Sequence, residues 1–399
     1  MKKAQEYTCV ALFAGIGGIE SGLEVSGFKT KFLCEIDPAA QRVLRKRFPD
    51  AELVGDVQQI KTLPDCDILT AGFPCQDISQ AGGKKGIQGK RSGLVTNLFR
   101  LISDKKVENR PEWVLIENVS NIISLHGGEA MSYLTDSFEA LGYSWAYRVV
   151  DARAFGVPQR RLRMVMVASL HGDVSGLLFS QNISEPPVND VLGDIDEDAY
   201  YGFYWTEGRL GLGWAKNAVP TLKSGSTIGI PSPPAIWIPA ENMFGTPDVR
   251  DAERMQGFPI GWTMVSKLDD RKTQNLRWRQ IGNAVCTKMA EWVGKQIVRS
   301  HHDIPAKVKP FVGGKWPKAC YGSAGNRFSV DVSTWPVEWK QHPLPQFLKY
   351  PLKPLSLKAA SGFYDRAMRS TLLRYPERFL ESLRIYIQHK EAENVTVDR

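Results

Sequence analysis

Residues 7–18 read Tyr7-Thr8-Cys9-Val10-Ala11-Leu12-Phe13-Ala14-Gly15-Ile16-Gly17-Gly18. A β-rich apolar run breaks into glycines, and Ile19, Leu23 and Val25 follow at helical spacing, which predicts strand, glycine turn and helix. Glycines at such a turn let the backbone bend tightly and approach a bound ligand closely. The next apolar stretch, Phe32-Leu33-Cys34, ends at Glu35, 17 positions past Gly18. An acidic side chain at about that offset can hydrogen-bond ribose hydroxyls.

This much suits a nicotinamide enzyme and a methyltransferase alike, and also a glycine turn that binds nothing. Outward from it, a helix is expected from Pro38 to Phe48, and Ala51-Glu52-Leu53-Val54 then runs into Gly55-Asp56-Val57. Asp56 at that strand end can reach an adenine amino group or simply be solvated in a turn. Ile68-Leu69-Thr70-Ala71 reads as a buried strand followed by Gly72-Phe73-Pro74-Cys75-Gln76-Asp77-Ile78-Ser79. In an open α/β sheet ligands bind beyond the carboxyl ends of the strands, so Cys75 is a thiol delivered to the reacting edge. Taken alone it is equally well a small buried hydrophobe.

The stretch 80–93 is rich in glycine and in cations, Lys84, Lys85, Lys90 and Arg91 among them, and reads either as a surface loop with solvated lysines or, given its place directly after Cys75, as a phosphate-seeking loop that closes over the site. A helix is expected over 94–102. A buried strand over Glu112–Ile116 then ends at Glu117-Asn118-Val119, which brings a second reactive group to the edge that carries Cys75. In Gln159-Arg160-Arg161-Leu162-Arg163, extended alternation puts Arg161 and Arg163 on one face.

The chain has 399 residues, 43% hydrophobic and 24% charged, which describes a globular protein, and its formal charge of +8 favours a polyanionic partner although many basic proteins bind none. Cysteines at 9, 34, 66, 75, 286 and 320 have no paired spacing, so neither a disulfide framework nor a metal site is expected and a reducing cytoplasm is inferred. No apolar run is long enough to span a bilayer. From 171 to 248 the chain reads as an irregular insertion in which Pro220–Thr227 offers hydroxyls and a cation for phosphate or base contacts. A short helix is expected over 250–257. Gln280-Ile281-Gly282-Asn283-Ala284-Val285 is read as opening a further helix with Met289, Trp292, Val293 and Ile297 on its apolar face. The tail 301–399 carries one amphipathic helix near 376–389 and no assignable chemistry.

Taken in order, Phe13-Ala14-Gly15-Ile16-Gly17-Gly18, Gly72-Phe73-Pro74-Cys75-Gln76, Glu117-Asn118-Val119, Gln159-Arg160-Arg161-Leu162-Arg163, Arg254-Met255-Gln256-Gly257-Phe258-Pro259 and Gly282-Asn283-Ala284-Val285 resemble the DNA (cytosine-5) methyltransferase family over residues 8–298. The resemblance implies an α/β, Rossmann-type S-adenosylmethionine-dependent methyltransferase sheet with an inserted small target-recognition domain and a C-terminal extension. The boundaries expected on that basis are 1–170 and 249–300 for the catalytic domain, 171–248 for target recognition and 301–399 for the extension. It also implies that the helix from Gly282-Asn283 packs beside the glycine turn.

By the same resemblance Cys75 is the nucleophile that adds to C6 of a cytosine flipped out of double-stranded DNA. Glu117 holds a proton or hydrogen bond at N3, and Arg161 and Arg163 supply positive charge. S-adenosyl-L-methionine is the implied cofactor, held by Phe13, Ala14, Gly15, Gly17, Gly18, Glu35, Ile36, Asp56, Val57, Pro74, Leu94, Asn283 and Val285. Ser79 and the loop cations Lys84, Lys85, Lys90 and Arg91 are the implied DNA contacts. A restriction-modification or phage-defence setting is family context. Asp251 departs from the Glu that often stands there. A tRNA cytosine-5 methyltransferase and a non-catalytic DNA-binding module are the competing readings.

Overall fold

The computed structural model describes residues 6–74, 93–185, 194–207, 211–225, 233–265, 270–299, 302–303, 307–371 and 375–397. They fall into two units, the first made of segments through Phe155, 162–185 and 284–339, the second of 156–161, 186–283 and 340 onward.

In the first unit the apolar runs become strands buried on both faces, as parallel sheets require. The chain forms β1 (Tyr7–Leu12), α1 (Gly18–Glu24), β2 (Phe28–Cys34), α2 (Pro38–Arg47), β3 (Glu52–Val54) and β4 (Ile68–Ala71). Asp37 caps α2 by accepting from Ala39 N at 2.9 Å, and Pro38 starts the helix where a missing N–H costs nothing. After α3 (Leu94–Ser103) come β5 (Trp113–Val119), α4 (Glu129–Ala140) and β6 (Ser144–Asp151). In the second unit β7 (Gln159–Arg160) precedes the return to the first through β8 (Leu162–Ser169).

Strands β3, β2, β1, β4 and β5 lie side by side in parallel, and β8 pairs antiparallel with both β5 and β6. The chain leaves β1 toward β2 and returns on its other side as β4, so β1 and β4 flank the point where strand order reverses. That is where an open α/β sheet binds its ligand.

The second unit continues with β9 (Tyr201–Phe203), β10 (Ala215–Lys216), β11 (Val219–Pro220), β12 (Ala235–Ile238), β13 (Met243–Thr246), α5 (Val249–Met255) and α6 (Arg271–Asn283). The first unit resumes with α7 (Thr287–Ile297), β14 (Val308–Pro310), β15 (Ala319–Ser323) and β16 (Asn326–Val330). The second ends with α8 (Leu344–Phe347), β17 (Lys353–Pro354), α9 (Leu357–Met368) and α10 (Glu377–Val397).

Two expectations change. Gly282 and Asn283 end α6 instead of opening a helix, and α7 starts only at Thr287. A Cβ on Gly282 would lie 2.2 Å from the Lys223 carbonyl carbon, so the glycine lets α6 press on that backbone. It is α7 that packs against α1, the helix opened by the glycine turn, and so closely that a Cβ on Gly22 would lie 2.2 Å from Thr287 O. The irregular insertion is, in the structure, part of a sheet: among the described residues β10, β9, β12, β13 and β17 form five antiparallel strands. Tyr201, Phe203, Trp237 and Phe244 on this sheet meet Phe363, Tyr375, Phe379 and Tyr386 of the tail. Ile236 and Ile238 pack with Val249, Met255, Ile281 and Phe347.

The tail therefore contributes to both units. β15 pairs antiparallel with β6 at the edge of the first sheet, while β17, α9 and α10 build the second unit.

Candidate active site

The glycine turn leaves β1 through three left-handed residues, Phe13 (φ 58°), Gly15 (φ 57°) and Gly17 (φ 82°). Phe13 is the strained one, since a side chain rarely adopts this conformation. Gly18 sits so close to the chain after α6 that a Cβ there would lie 2.6 Å from Val285 O. A Cβ on Gly15, by contrast, would meet nothing within 4 Å. The turn is thus braced on one side and open on the other.

Glu35 ties the turn to the end of β2. Its Oε2 accepts from Gly15 N at 2.7 Å and its Oε1 from Asp37 N at 2.8 Å. A carboxylate offers about four acceptor positions, so these two amides leave room for sugar hydroxyls. Burial raises the Glu35 carboxyl above its ordinary value, and the two amides work against that rise.

Ile36 beside it is 72% exposed, an apolar surface of the kind a purine ring covers. Asp56 Oδ1 accepts from Gln58 N at 2.9 Å, which fixes the carboxylate at the end of β3, and Val57 is buried behind it. The Phe13 ring meets Phe73 edge-on at 6.3 Å. A Cβ on Gly72 would lie 3.8 Å from Phe13 O, 3.9 Å from Ile19 Cδ1 and 4.0 Å from Val285 Cγ2, so these residues converge on one cleft. An open glycine turn, a carboxylate at the second strand end and an exposed apolar side chain fit an adenosine-containing cofactor such as S-adenosylmethionine. Pro74 is exposed at the lip of the turn after β4, Leu94 opens α3, and Asn283 closes α6 in the second unit.

The reacting edge is built by β4, β5 and β8. Glu117 and Arg163, each 9% exposed, are diagonal neighbours on antiparallel strands, and Arg163 Nε lies 3.0 Å from Glu117 Oε1. The contact is an ion pair without good hydrogen-bond alignment: Glu117 Oε1 is buried with no hydrogen bond among the described residues.

Next to Glu117, the Asn118 side-chain amide donates to Phe73 O at 2.9 Å, and its oxygen accepts from Val119 N. Asn118 thereby ties the strand carrying Glu117 to the Phe73-Pro74 turn. Its role depends on a partner 45 positions away, which the Glu117-Asn118-Val119 motif alone does not reveal. Cys75, Ser79, Lys84, Lys85, Lys90 and Arg91 lie outside the described residues.

Arg161 and Arg163 are both buried while Leu162 between them is 39% exposed, as alternation requires. Their guanidinium groups have different partners. Arg161 Nη1 donates to Leu222 O at 3.0 Å within the second unit, whereas Arg163 pairs with Glu117 in the first. The segment 220–225 is also engaged internally: Thr221 Oγ1 donates to Arg160 O, and Lys223 pairs with Glu207 and lies 3.8 Å above the Tyr204 ring.

Sequence reasoning missed Glu20. It reads as a polar helix position, yet it is 1% exposed and accepts from Thr70 Oγ1 at 2.7 Å. Among the described residues no group of three or more His, Cys, Asp or Glu is placed to hold a metal ion, and no helix is long and apolar enough to cross a membrane.

A family model for C-5 cytosine-specific DNA methylases matches residues 7–211. The chain is 48% identical over 375 residues to the type II methyltransferase M2.BsuMI of Bacillus subtilis (strain 168), covering 94% of this chain and 96% of that protein. It is 31% identical over 321 residues to the type II methyltransferase M.NlaX of Neisseria lactamica, covering 73% and 96%. Among solved structures, the Entamoeba histolytica methyltransferase EhMeth superposes with a TM-score of 0.51 at 16% identity, covering 74% of this chain and 98% of that one. A DNMT2 mutant of Spodoptera frugiperda superposes with a TM-score of 0.50 at 15% identity, covering 74% and 100%. At those identities the two structures speak for the fold alone.

Proposed function

The chain belongs to the C-5 cytosine-specific DNA methylase family and uses S-adenosylmethionine, and from that premise we propose that it methylates a cytosine flipped out of duplex DNA through covalent attack by Cys75. The observation that carries the reading is the Asn118 to Phe73 hydrogen bond beside the Glu117–Arg163 pair. It joins the strand bearing the acid to the turn that leads into Cys75.

C5 of cytosine is a weak nucleophile. A thiolate bonded to C6 makes it enamine-like, and Cys75 in its Pro-Cys-Gln setting is the residue for that step. Electron density then moves to N3, where Glu117 holds a proton or hydrogen bond. Arg163 keeps a compensating charge 3.0 Å from that carboxyl group. S-adenosylmethionine, when bound, supplies the electrophilic methyl group and is left as S-adenosylhomocysteine. Loss of the C5 proton to a base and departure of the Cys75 thiolate from C6 then restore the aromatic ring and free the enzyme. Phe13 to Gly18, Glu35, Ile36, Asp56, Val57, Pro74, Leu94, Asn283 and Val285 are its proposed binding residues.

The target atom is hidden in a duplex, so the base must leave the stack at a cost of roughly a few kcal/mol. Ser79 and the cations Lys84, Lys85, Lys90 and Arg91 are the proposed clamp on the phosphates. We assign sequence readout to the 171–248 segment, which from 186 onward belongs to the second unit that the tail completes. Arg161, tied to the Leu222 carbonyl, positions that segment. The type II designation of the relatives supports a restriction-modification setting, with phage defence as its biological consequence.

Incubation with duplex DNA and methyl-labelled S-adenosylmethionine tests the reading. Label at C5 of cytosine is expected, and label on an exocyclic amino group, or in tRNA but no duplex, overturns it. A Cys75→Ala variant with unchanged methylation overturns the covalent step alone.

A further inference from the structure

Helix α1 carries a carboxyl group that the chemistry above does not use. Glu20 Oε1 accepts from Thr70 Oγ1, and its Oε2 is buried with no hydrogen-bond partner among the described residues. Thr70 lies two residues before Gly72. Ile19, the chain neighbour of Glu20, turns its Cδ1 toward Gly72 beside Phe13 and Val285. The carboxyl group is thus buried under α1 against β4, the strand that leads into Gly72 and the turn where the cofactor residues gather. Burying a carboxyl with one oxygen unsatisfied is costly, and an apolar side chain would avoid that cost, so a ligand-directed role is the natural account of its presence.

We propose that Glu20 makes the cofactor cleft charge-selective, its carboxylate favouring the cationic sulfonium of S-adenosylmethionine over the neutral thioether of S-adenosylhomocysteine, the product that remains once the methyl group has left. The inference rests on the cofactor assignment above. A charge in a weakly polarisable wall acts across several ångström, so no direct contact is needed.

The surroundings let this group ionise in a useful range. Burial lifts it from 4.5 to about 7, with Glu24 on its own helix and Glu35 after β2 adding to the rise and the Thr70 hydroxyl opposing it. Cys9 on β1 is pushed well up by burial and Cys66 before β4 up to about 12, so both thiols stay neutral across neutral pH. On α7, which packs against α1, Glu291 is held between Lys288 at 2.8 Å and Lys295 at 2.6 Å.

Calorimetric dissociation constants for S-adenosylmethionine and S-adenosylhomocysteine, measured on the full chain from pH 6 to 8.5, test the proposal. Both ligands carry the same amino, carboxylate and adenosine groups, but the sulfonium makes the amine of S-adenosylmethionine the more acidic, so the ratio measured with Glu20→Gln serves as the ligands' own baseline. Relative to that baseline the ratio in the unsubstituted protein is expected to favour the sulfonium about tenfold more at the upper pH than at the lower, the change that follows when binding moves one group by a single pKa unit. At the lower pH the two proteins should give the same ratio. Thr70→Val, which removes the donor to the carboxylate, should move the inflection to higher pH, and it decides the matter should the glutamine variant fail to fold. An equal pH dependence of the ratio in the unsubstituted protein and in Glu20→Gln, or an unmoved inflection in Thr70→Val, overturns the proposal. Failure of both ligands to bind at any pH overturns the cofactor assignment instead.

Discussion

The Asn118 side chain spans from β5 to the turn after β4, its amide donating to the Phe73 carbonyl across 2.9 Å in a buried setting. Phe73 is itself buried, so that carbonyl has no easy recourse to water. Replacing Asn118 by Ala leaves the acceptor unsatisfied, at a cost of about 1–3 kcal/mol, and frees the turn that leads into Cys75. The expected outcome is a single-turnover methylation rate at least tenfold lower, about 1.4 kcal/mol in the barrier, with cofactor affinity retained. An unchanged rate would show that the turn is held by other means.

Gly18 is pressed against main chain, since a Cβ there would lie 2.6 Å from Val285 O and 3.2 Å from Val285 N. These are backbone atoms, which cannot rotate away. Gly18→Ala should cost about 1–3 kcal/mol in stability, the usual penalty of overpacking. It should also weaken S-adenosylmethionine binding by displacing Val285, which calorimetry on the full chain will read. Gly15→Ala, where a Cβ meets nothing in the protein within 4 Å but the left-handed φ of 57° strains the backbone by about 1–2 kcal/mol, should lose affinity without displacing Val285, because its side chain would enter the ligand's space.

Phe379 of α10 packs against the rings of Phe203, Trp214, Trp237, Phe244, Phe363 and Tyr375, with centroids between 5.1 and 6.1 Å. Trp237 Nε1 also donates to Ser382 Oγ at 2.8 Å, and Arg378 pairs with Glu197. Truncating such a side chain costs about 3–5 kcal/mol. Phe379→Ala should lower the melting temperature and abolish sequence-specific DNA binding while S-adenosylmethionine binding survives. Full DNA affinity in that variant would remove the tail from the recognition unit.

The parts legible in the sequence are those that long apolar runs and glycine turns announce. β1 and α2 fall within a residue of where the patterns of Tyr7–Phe13 and Pro38–Phe48 place them, because each run is long enough for its period to show. The second unit was hidden because its strands hold two to four residues each and its β17 lies more than a hundred positions from β13. Helix α9 buries only Ala360, Phe363 and Ala367, and two alanines make a faint apolar stripe in sequence. Asn118 and Glu20 were hidden for another reason. Their roles depend on partners 45 and 50 positions away and on burial, which no local pattern encodes.

Glu20 also makes the fold's stability depend on pH, apart from any ligand. Its carboxyl group releases a proton near 4.5 when unfolded but only near 7 when folded. Below 4.5 both states are protonated and the buried group imposes no ionisation cost. As pH rises toward 7 the unfolded chain ionises first, so the folded state loses stability through this window, and above it the loss is constant at about 3 kcal/mol. Glu20→Gln cannot ionise in either state. Its stability relative to the unsubstituted protein, read from urea midpoints, should therefore be higher at pH 8 than at pH 4.5. A relative stability that stays level or falls over that range would mean that the carboxyl group is already ionised within the fold at low pH.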